Sequence, residues 1–351
     1  MIPKTDIDII LKAAVQAPSG HNYQPWKFKL LDDAIVFQNA PENDTTVYNY
    51  KQRGSMVAHG AALENAVITA ETLGYACAVE VLPEESDSVL KLTLSKGQGT
   101  GRVSLVTQID KRTTNRKPYK KVLEQNKLQQ LAVLPEDIQS SAQVSFLTEK
   151  ADIESVAKAW SVNDWLIFNA QVVHDALFPH LVWTAQEEAT KKSGLFIDTF
   201  ELPPPVRGMF NILKYPAVAR TFGVIGFGSV AAKQNVENVY ASVGAIGVIT
   251  VPSLTKDNLV QAGRALEHVW LKAGSLGLSL QPIMGAYYLA LRAEEDVSLD
   301  LTSEQKTKLA EAKRVLTSIF KNANGVPAAF FRIGESDAPS AFSSKKPPVI
   351  I

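Results

Sequence analysis

Apolar residues recur at helical spacing through two stretches of the chain, and each stretch stops at Leu-Gly. GAALENAVITAETLGY begins at Gly60 and GRALEHVWLKAGSLGL begins at Gly263. Laid over one another without a gap, they share Gly60/Gly263, Ala62/Ala265, Leu63/Leu266, Glu64/Glu267, Ala70/Ala273, Leu73/Leu276 and Gly74/Gly277, seven identities in sixteen positions. The spacing predicts two related helices, each ended by a glycine that can take the left-handed conformation. Helices rich in Ala and Leu also align through composition alone, so the flanking segments carry weight. ACAVEVL and VLKLTLS follow the first helix. SLQPIMGAYYLALR follows the second, then a helical stretch around 303–321, then PAAFFRIG. Each copy reads as helix, strand, strand, which predicts an α+β fold made of two repeated helix/sheet units in one chain.

Two longer apolar runs, 215–232 and 239–252, fall short of the ~20 residues a membrane-spanning helix requires, and the first contains Arg220. They read as buried strand or lid. KGQGTGR, residues 96–102, has the composition of a linker. The expected division is a short first half, 1–104, and a larger second half, 105–351. The enlargement is expected at about 160–233, as a cover with turn formers (ELPPPVRG) and many aromatics. The last residues, SSKKPPVII, look extended.

Composition narrows the function classes. The chain has 351 residues with 36 basic and 36 acidic side chains, and no long run of one sign builds the field that nucleic-acid binding needs. A single cysteine, Cys77, excludes an internal disulfide and a thiolate metal site, and it reads as a small buried hydrophobe. With no signal-like start, a reducing cytoplasm is the default. The five histidines show no metal-ligand spacing, so no metal is expected. GVIGFGS, at 223–229, lacks the glycine spacing of a dinucleotide fingerprint.

The candidate chemistry lies in two short stretches. In KRTTNRKPY, 111–119, Arg112, Thr114 and Arg116 alternate, so an extended backbone points them the same way, and two guanidiniums flanking a hydroxyl suit a phosphate or a polar ring edge. Alone, such a stretch is more often a solvated basic turn. APSGHNYQPW, 17–26, is rich in turn formers and small polar side chains behind a helix, and is the candidate partner. Within it Trp26 reads as core packing and His21 as a turn or site residue. Arg53 reads as a surface or interface charge.

Together, Pro-Ser-x-x-Asn-x-Gln-Pro-Trp after the first helix, Arg-x-Thr-x-Arg at 112–116, and a helix ending Leu-Gly-Leu followed by Pro-x-x-Gly at 282–285 resemble the FMN-dependent nitroreductase family, and in particular its fused-repeat (Acg-type) branch. The resemblance implies a nitroreductase-like fold in which the two halves form a pseudo-dimer. The first half keeps Pro18, Ser19, Gly20 and Asn22 but lacks Arg-x-Ser-x-Arg. The second keeps Arg112, Thr114 and Arg116 but reads AVLPEDIQSSAQVSF where Pro-Ser-x-x-Asn would stand. The complementary losses imply one FMN per chain. By the resemblance, Arg112 and Thr114 meet the phosphate and ribityl chain and Arg116 the pyrimidine edge. Ser19 and Asn22 face the ring or ribityl. Pro282, Met284 and Gly285 lie near flavin N5, with Lys345 and Lys346 as further phosphate ligands. NAD(P)H is the implied reductant and a small conjugated molecule, such as a nitroaromatic or quinone, the implied acceptor. Fusion permits a monomer and leaves a homodimer open. The other reading is a flavin-binding protein that stores FMN beneath the cover without turnover.

Overall fold

The computed structural model of the chain describes residues 2–83, 86–97, 102–320 and 323–351. In order come α1 (Lys4–Ala14), β1 (Trp26–Leu30), β2 (Ala34–Asn39), α2 (Arg53–Thr72), β3 (Tyr75–Val81) and β4 (Ser88–Lys96). After the short α3 (Val106–Ile109) come α4 (Gln125–Ala132), α5 (Glu136–Gln139) and β5 (Gln143–Leu147). A largely helical segment follows: α6 (Lys150–Asn169), α7 (Gln171–Leu177), β6 (Leu181–Val182), α8 (Ala185–Lys191), β7 (Leu195–Phe196), α9 (Pro204–Leu213), α10 (Pro216–Val224) and α11 (Phe227–Asn235). The chain ends with β8 (Ala245–Val251), α12 (Lys256–Ser275), β9 (Ser279–Pro282), α13 (Gly285–Glu295), α14 (Ser303–Ser318) and β10 (Val326–Gly334). The fold is α+β.

Two antiparallel sheets have the orders β1-β2-β4-β3 and β5-β8-β10-β9. Ranked along the chain, both read first, second, fourth, third, and in each the long helix, α2 or α12, lies between the second and third strands. The two helices pack against each other at the shared glycines. A Cβ on Gly60 would stand 1.9 Å from the carbonyl oxygen of Val260, and one on Gly263 would stand 1.9 Å from that of Val57. The contact is reciprocal, as a two-fold relation between the helices requires, and a bare backbone at both positions permits it. From Ser55 to Glu71 every residue of α2 is buried, so its sequence shows almost no polar face. Gly74 (φ 81°) and Gly277 (φ 73°) end the pair in the left-handed conformation.

The units differ in what joins their first two strands. Residues 31–33 turn β1 into β2, whereas 148–244 separate β5 from β8. The enlargement expected at 160–233 therefore starts earlier, at α6, and runs to the π-helical turn Val236–Tyr240. SLQPIMGAYYLALR is a strand only as far as Pro282; α13 follows, with Ala286 to Leu291 all buried. A run buried on every side has no alternation, so periodicity could not separate helix from strand there. Of the proposed linker, residues 98–101 lie outside the described residues, and Arg102 is no linker residue but is buried against Glu64. Cys77 is half-buried rather than buried, and burial pushes its thiol up to about 12. Arg53 is largely interior and pairs with Glu295 at 2.7 Å, joining α2 to α13.

The C-terminal segment crosses back to the first sheet. Phe28 N donates to Val349 O at 2.8 Å and Ile351 N to Phe28 O at 2.9 Å, adding a short parallel bridge at the free edge of β1. Among the described residues no helix is long and apolar enough to cross a membrane.

Candidate functional site

The turn formers of 17–26 build a loop that the backbone enters three times with positive φ outside glycine, at His21 (49°), Asn22 (58°) and Gln24 (57°). Such residues persist where surrounding contacts over-determine them, and here the contacts are visible. Ser19 Oγ accepts from Gln24 N at 2.9 Å. The Gln24 amide donates to Asn22 O and to Lys192 O, and accepts from Lys346 N. Asn22 Nδ2 donates to Ser344 O while its Oδ1 accepts from Lys345 Nζ at 2.8 Å. Asn22 thus fixes the C-terminal segment and aims Lys345.

The loop forms one wall of a cavity of 480 Å3 beside the α2/α12 crossing, within the ~300–1,000 Å3 of small-molecule and cofactor pockets. Pro18, Ser19, Gly20, Asn22, Arg112, Thr114, Arg116, Pro282, Met284, Gly285 and Lys345 all line it. Lys346 is absent from its wall; its backbone, through Gln24, braces the loop. Ala61 of α2 and Trp270 of α12 contribute the floor, and the 148–244 segment covers the far side with Asp164, Phe200 and Tyr240.

Three cations converge on this space. Arg112 Nε lies 3.1 Å from Glu267 Oε1, its Nη2 donates to Gln16 O, and its guanidinium stacks 4.6 Å from the Trp270 ring centre. Arg116 donates to Thr199 O at 3.0 Å and Thr199 Oγ1 at 3.1 Å, and lies 4.9 Å from the Phe200 ring. Lys345 Nζ donates to Ala17 O and Asn22 Oδ1, both at 2.8 Å. Burial, reinforced by repulsion from Arg112, pushes Lys345 down to about 7. Burial likewise lowers Arg116 to about 10. Glu267 moves the other way: burial pushes it up to about 7 against the pull of Arg112, Asn65 and Lys345. His21 is held neutral, lowered to about 3 by burial and by His180 and Arg116.

The sequence reading missed Glu267, Asp164, Tyr240 and Trp270. Glu267 had a signal, since Glu64 and Glu267 are the identical acids inside two apolar helices, and a carboxylate at a buried helical position needs a partner. Asp164 and Tyr240 sit in the inserted segment, where no repeat or motif marks them. Among the described residues no cluster of His, Cys, Asp and Glu could hold a metal ion.

No family model matches the chain. An uncharacterized protein of Mycobacterium tuberculosis is 26% identical over 297 residues, 84% of this chain and 41% of that relative. Another protein of the same organism, named "Putative NAD(P)H nitroreductase", is 26% identical over 113 residues, 31% of this chain and 33% of its own length. The likeness is to nitroreductase-like proteins. The chain thus spans well under half of the curated relatives it matches. Two solved structures align at 10% identity and TM-score 0.34. One is a nitroreductase-like family protein from Bacillus cereus, covering 69% of this chain and 91% of that one. The other is the FMN-dependent nitroreductase NfnB from Mycobacterium smegmatis in complex with NADPH, covering 66% and 86%.

Proposed function

We propose that the chain is an FMN-dependent oxidoreductase of nitroreductase type, with one flavin in the cavity beside the α2/α12 crossing. The observation that carries this reading is the meeting of residues 18–22 with 112–116 and Lys345 on one cavity wall, although nearly a hundred residues part the first two stretches. A guanidinium and an ammonium, Arg112 and Lys345, suit a group carrying close to two negative charges, and a second guanidinium, Arg116, suits a polar ring edge. Gly285 lets Asn163 pack closely on its backbone at the cavity wall, because a Cβ there would stand 3.1 Å from Asn163.

In this reading Arg112, Thr114 and Lys345 hold the phosphate and ribityl chain. Arg116 faces the pyrimidine edge, where a cation favours the reduced, anionic ring. Ser19 and Asn22 keep the loop and Lys345 in place, and Pro282, Met284 and Gly285 supply backbone beside the reacting edge. Bound FMN would supply hydride transfer, from NAD(P)H to a small conjugated acceptor such as a nitroaromatic or quinone. The matching strand order and the reciprocal glycine contact support a fused pair of related halves, 1–104 and 105–351, of the Acg type. One chain then supplies both sides of the site, so no second copy is required to complete it.

The hydrogen bonds from Arg116 to Thr199, which tie the inserted segment to the cavity wall, favour a second reading in which FMN is stored beneath that cover without turnover. Two measurements divide the readings. The visible spectrum after FMN addition and desalting should show about one flavin per chain. Arg112→Ala should weaken binding by about tenfold or more, as loss of a charge-assisted phosphate contact requires. A colourless protein overturns both readings. Flavin without NADPH oxidation, over many acceptors, overturns the first and supports storage.

A further inference from the structure

The 148–244 segment places one buried carboxylate on the cavity. Asp164, on α6, is 9% exposed and lines the cavity beside Tyr240. Its Oδ1 accepts from Tyr240 Oη at 3.2 Å and its Oδ2 from Asn235 Nδ2 at 3.0 Å. The adjacent Asn163 accepts from Tyr48 Oη at 2.9 Å and packs on Gly285, which puts α6 next to the edge where the reaction is assigned. Among the described residues no cation pairs with Asp164. Burial keeps this carboxyl group protonated more readily than one in water, against the two hydrogen bonds it accepts, and a protonated acid beside a phenol is a hydrogen-bond donor and a proton source.

We propose that Asp164 and Tyr240 form the subsite for the oxygen of the acceptor, a neutral aromatic ketone or quinone, and that Asp164 supplies the proton this oxygen takes up. The inference rests on the redox reading above. For a quinone the balance is complete. Reduced flavin, when bound, would supply hydride to form an O–H bond at one carbonyl oxygen, with the electron pair passing through the ring to the other oxygen. That oxygen takes the proton from Asp164, directly or by way of the Tyr240 hydroxyl. The products are the hydroquinone and an aspartate, which solvent reprotonates. Ile167 and Phe200, which also line the cavity, give the apolar surface that an aromatic body requires.

The pH dependence has a definite sign. Burial pushes Asp164 up to about 6, against the pull of Asn235 and Tyr240. The other titratable or charged groups facing the pair are Tyr48, whose hydroxyl burial holds neutral, and Arg116 and Arg332, which act on Tyr240. Tyr240 itself stays neutral, raised well above its ordinary value first by burial and then by Asp164. The donor form of Asp164 therefore prevails below about pH 6 and is lost as pH rises.

The test measures binding, by calorimetry on the oxidised protein with no reductant present. The probes are 2-acetylnaphthalene, a neutral ketone, and 2-ethylnaphthalene, which lacks the oxygen. The ketone should bind about tenfold tighter at pH 5 than at pH 8, the size of one hydrogen bond lost to a charged acceptor, while the hydrocarbon should not change. Asp164→Asn should abolish that dependence. Tyr240→Phe, which leaves the carboxyl in place, should weaken the ketone about threefold or more without affecting the hydrocarbon. Equal ketone affinity at both pH values, an unchanged profile in Asp164→Asn, or unchanged ketone binding in Tyr240→Phe would each overturn the proposal. The visible spectrum of the same sample reports flavin separately, so flavin bound without oxygen discrimination sinks the subsite and leaves the cofactor reading standing.

Discussion

The two faces of the α2/α12 crossing start from the same residues and end in opposite states. Glu64 and Glu267 occupy matching positions of the two helices, and both are fully buried. Around Glu64 the space is closed by charge. Arg102 Nη1 donates to both of its oxygens at 3.0 and 3.1 Å, Arg264 Nε donates to it at 3.1 Å, and His268 lies 3.2 Å away. Asp137 completes the cluster against Arg264 at 2.6 Å. Glu267 instead meets Arg112 Nε at 3.1 Å, and that guanidinium lines the cavity. The decisive difference is one residue past the shared glycine: Arg264 follows Gly263, while Ala61 follows Gly60 and lines the cavity floor. The Arg264 guanidinium fills one face, whereas the Ala61 methyl leaves room for the cavity on the other. The same helix frame therefore yields a structural ion cluster on one side and a cavity lined by Arg112, Arg116 and Lys345 on the other.

The largest effect tests the frame itself. A Cβ at Gly60 would meet Val260 backbone at 1.9 Å and one at Gly263 would meet Val57 backbone at the same distance, so neither clash can be relieved by turning a side chain. Gly60→Ala and Gly263→Ala should each cost about 4 kcal/mol or more in urea unfolding, and by similar amounts. A Gly263→Ala protein as stable as the parent would break the comparison at its root.

The next effect separates the faces. Burial alone would raise Glu64, but Arg264, His268 and Arg102 overcome it and hold the acid near 2, below its ordinary 4.5. Its stabilisation is present above pH 4.5 and lost as pH falls toward 2. Glu267 is raised to about 7, so its carboxylate form works against the fold. Stability is complete below pH 4.5 and declines as pH rises through 7. Glu64→Gln should therefore destabilise at neutral pH by on the order of 3 kcal/mol. Glu267→Gln should remove the decline in stability that accompanies ionisation of Glu267 as pH rises, while leaving Arg112 without its carboxylate partner, so its pH profile should run opposite to that of Glu64→Gln. Urea titrations at pH 4, 7 and 8 decide it, and two variants that shift alike would show that the faces are not electrostatic opposites.

Much of this arrangement was legible in the chain, for identifiable reasons. The paired helices were readable because seven shared residues survive in them, and the loop 17–26 and the stretch 111–119 because their residue types fit one chemistry. Their meeting on one cavity follows from the crossing that Gly60 and Gly263 permit. What stayed hidden depended on tertiary contact. Arg102 sits in a segment composed like a linker yet is drawn inward by Glu64. The 286–291 run is buried on all sides and so lacks a period. Asp164 acquires its character from burial within the inserted segment, beside Asn235 and Tyr240 more than seventy residues away. Arg264 and Ala61 differ visibly in sequence, but only the packed crossing turns that difference into one closed face and one open one.

The smallest effect sharpens the open face. Lys345 and Glu267 are both brought to about 7, from opposite directions. A doubly charged phosphate held beside Arg112 favours protonated Lys345, which attracts it, and protonated Glu267, which no longer repels it. Binding should then take up a proton, and FMN affinity should fall about tenfold as pH rises from 6 to 8, read by quenching of flavin fluorescence. Lys345→Met should weaken binding at pH 6 and flatten the profile, because it removes the group whose charge is lost over that range, while Glu267 keeps part of the slope. The closed face has no such pair: Glu64 is ionised throughout this range, so Glu64→Gln should leave the slope unchanged. A pH-independent affinity in the parent protein would mean that the phosphate lies away from Lys345 and Glu267, and the charge asymmetry between the faces would then serve the fold rather than the ligand.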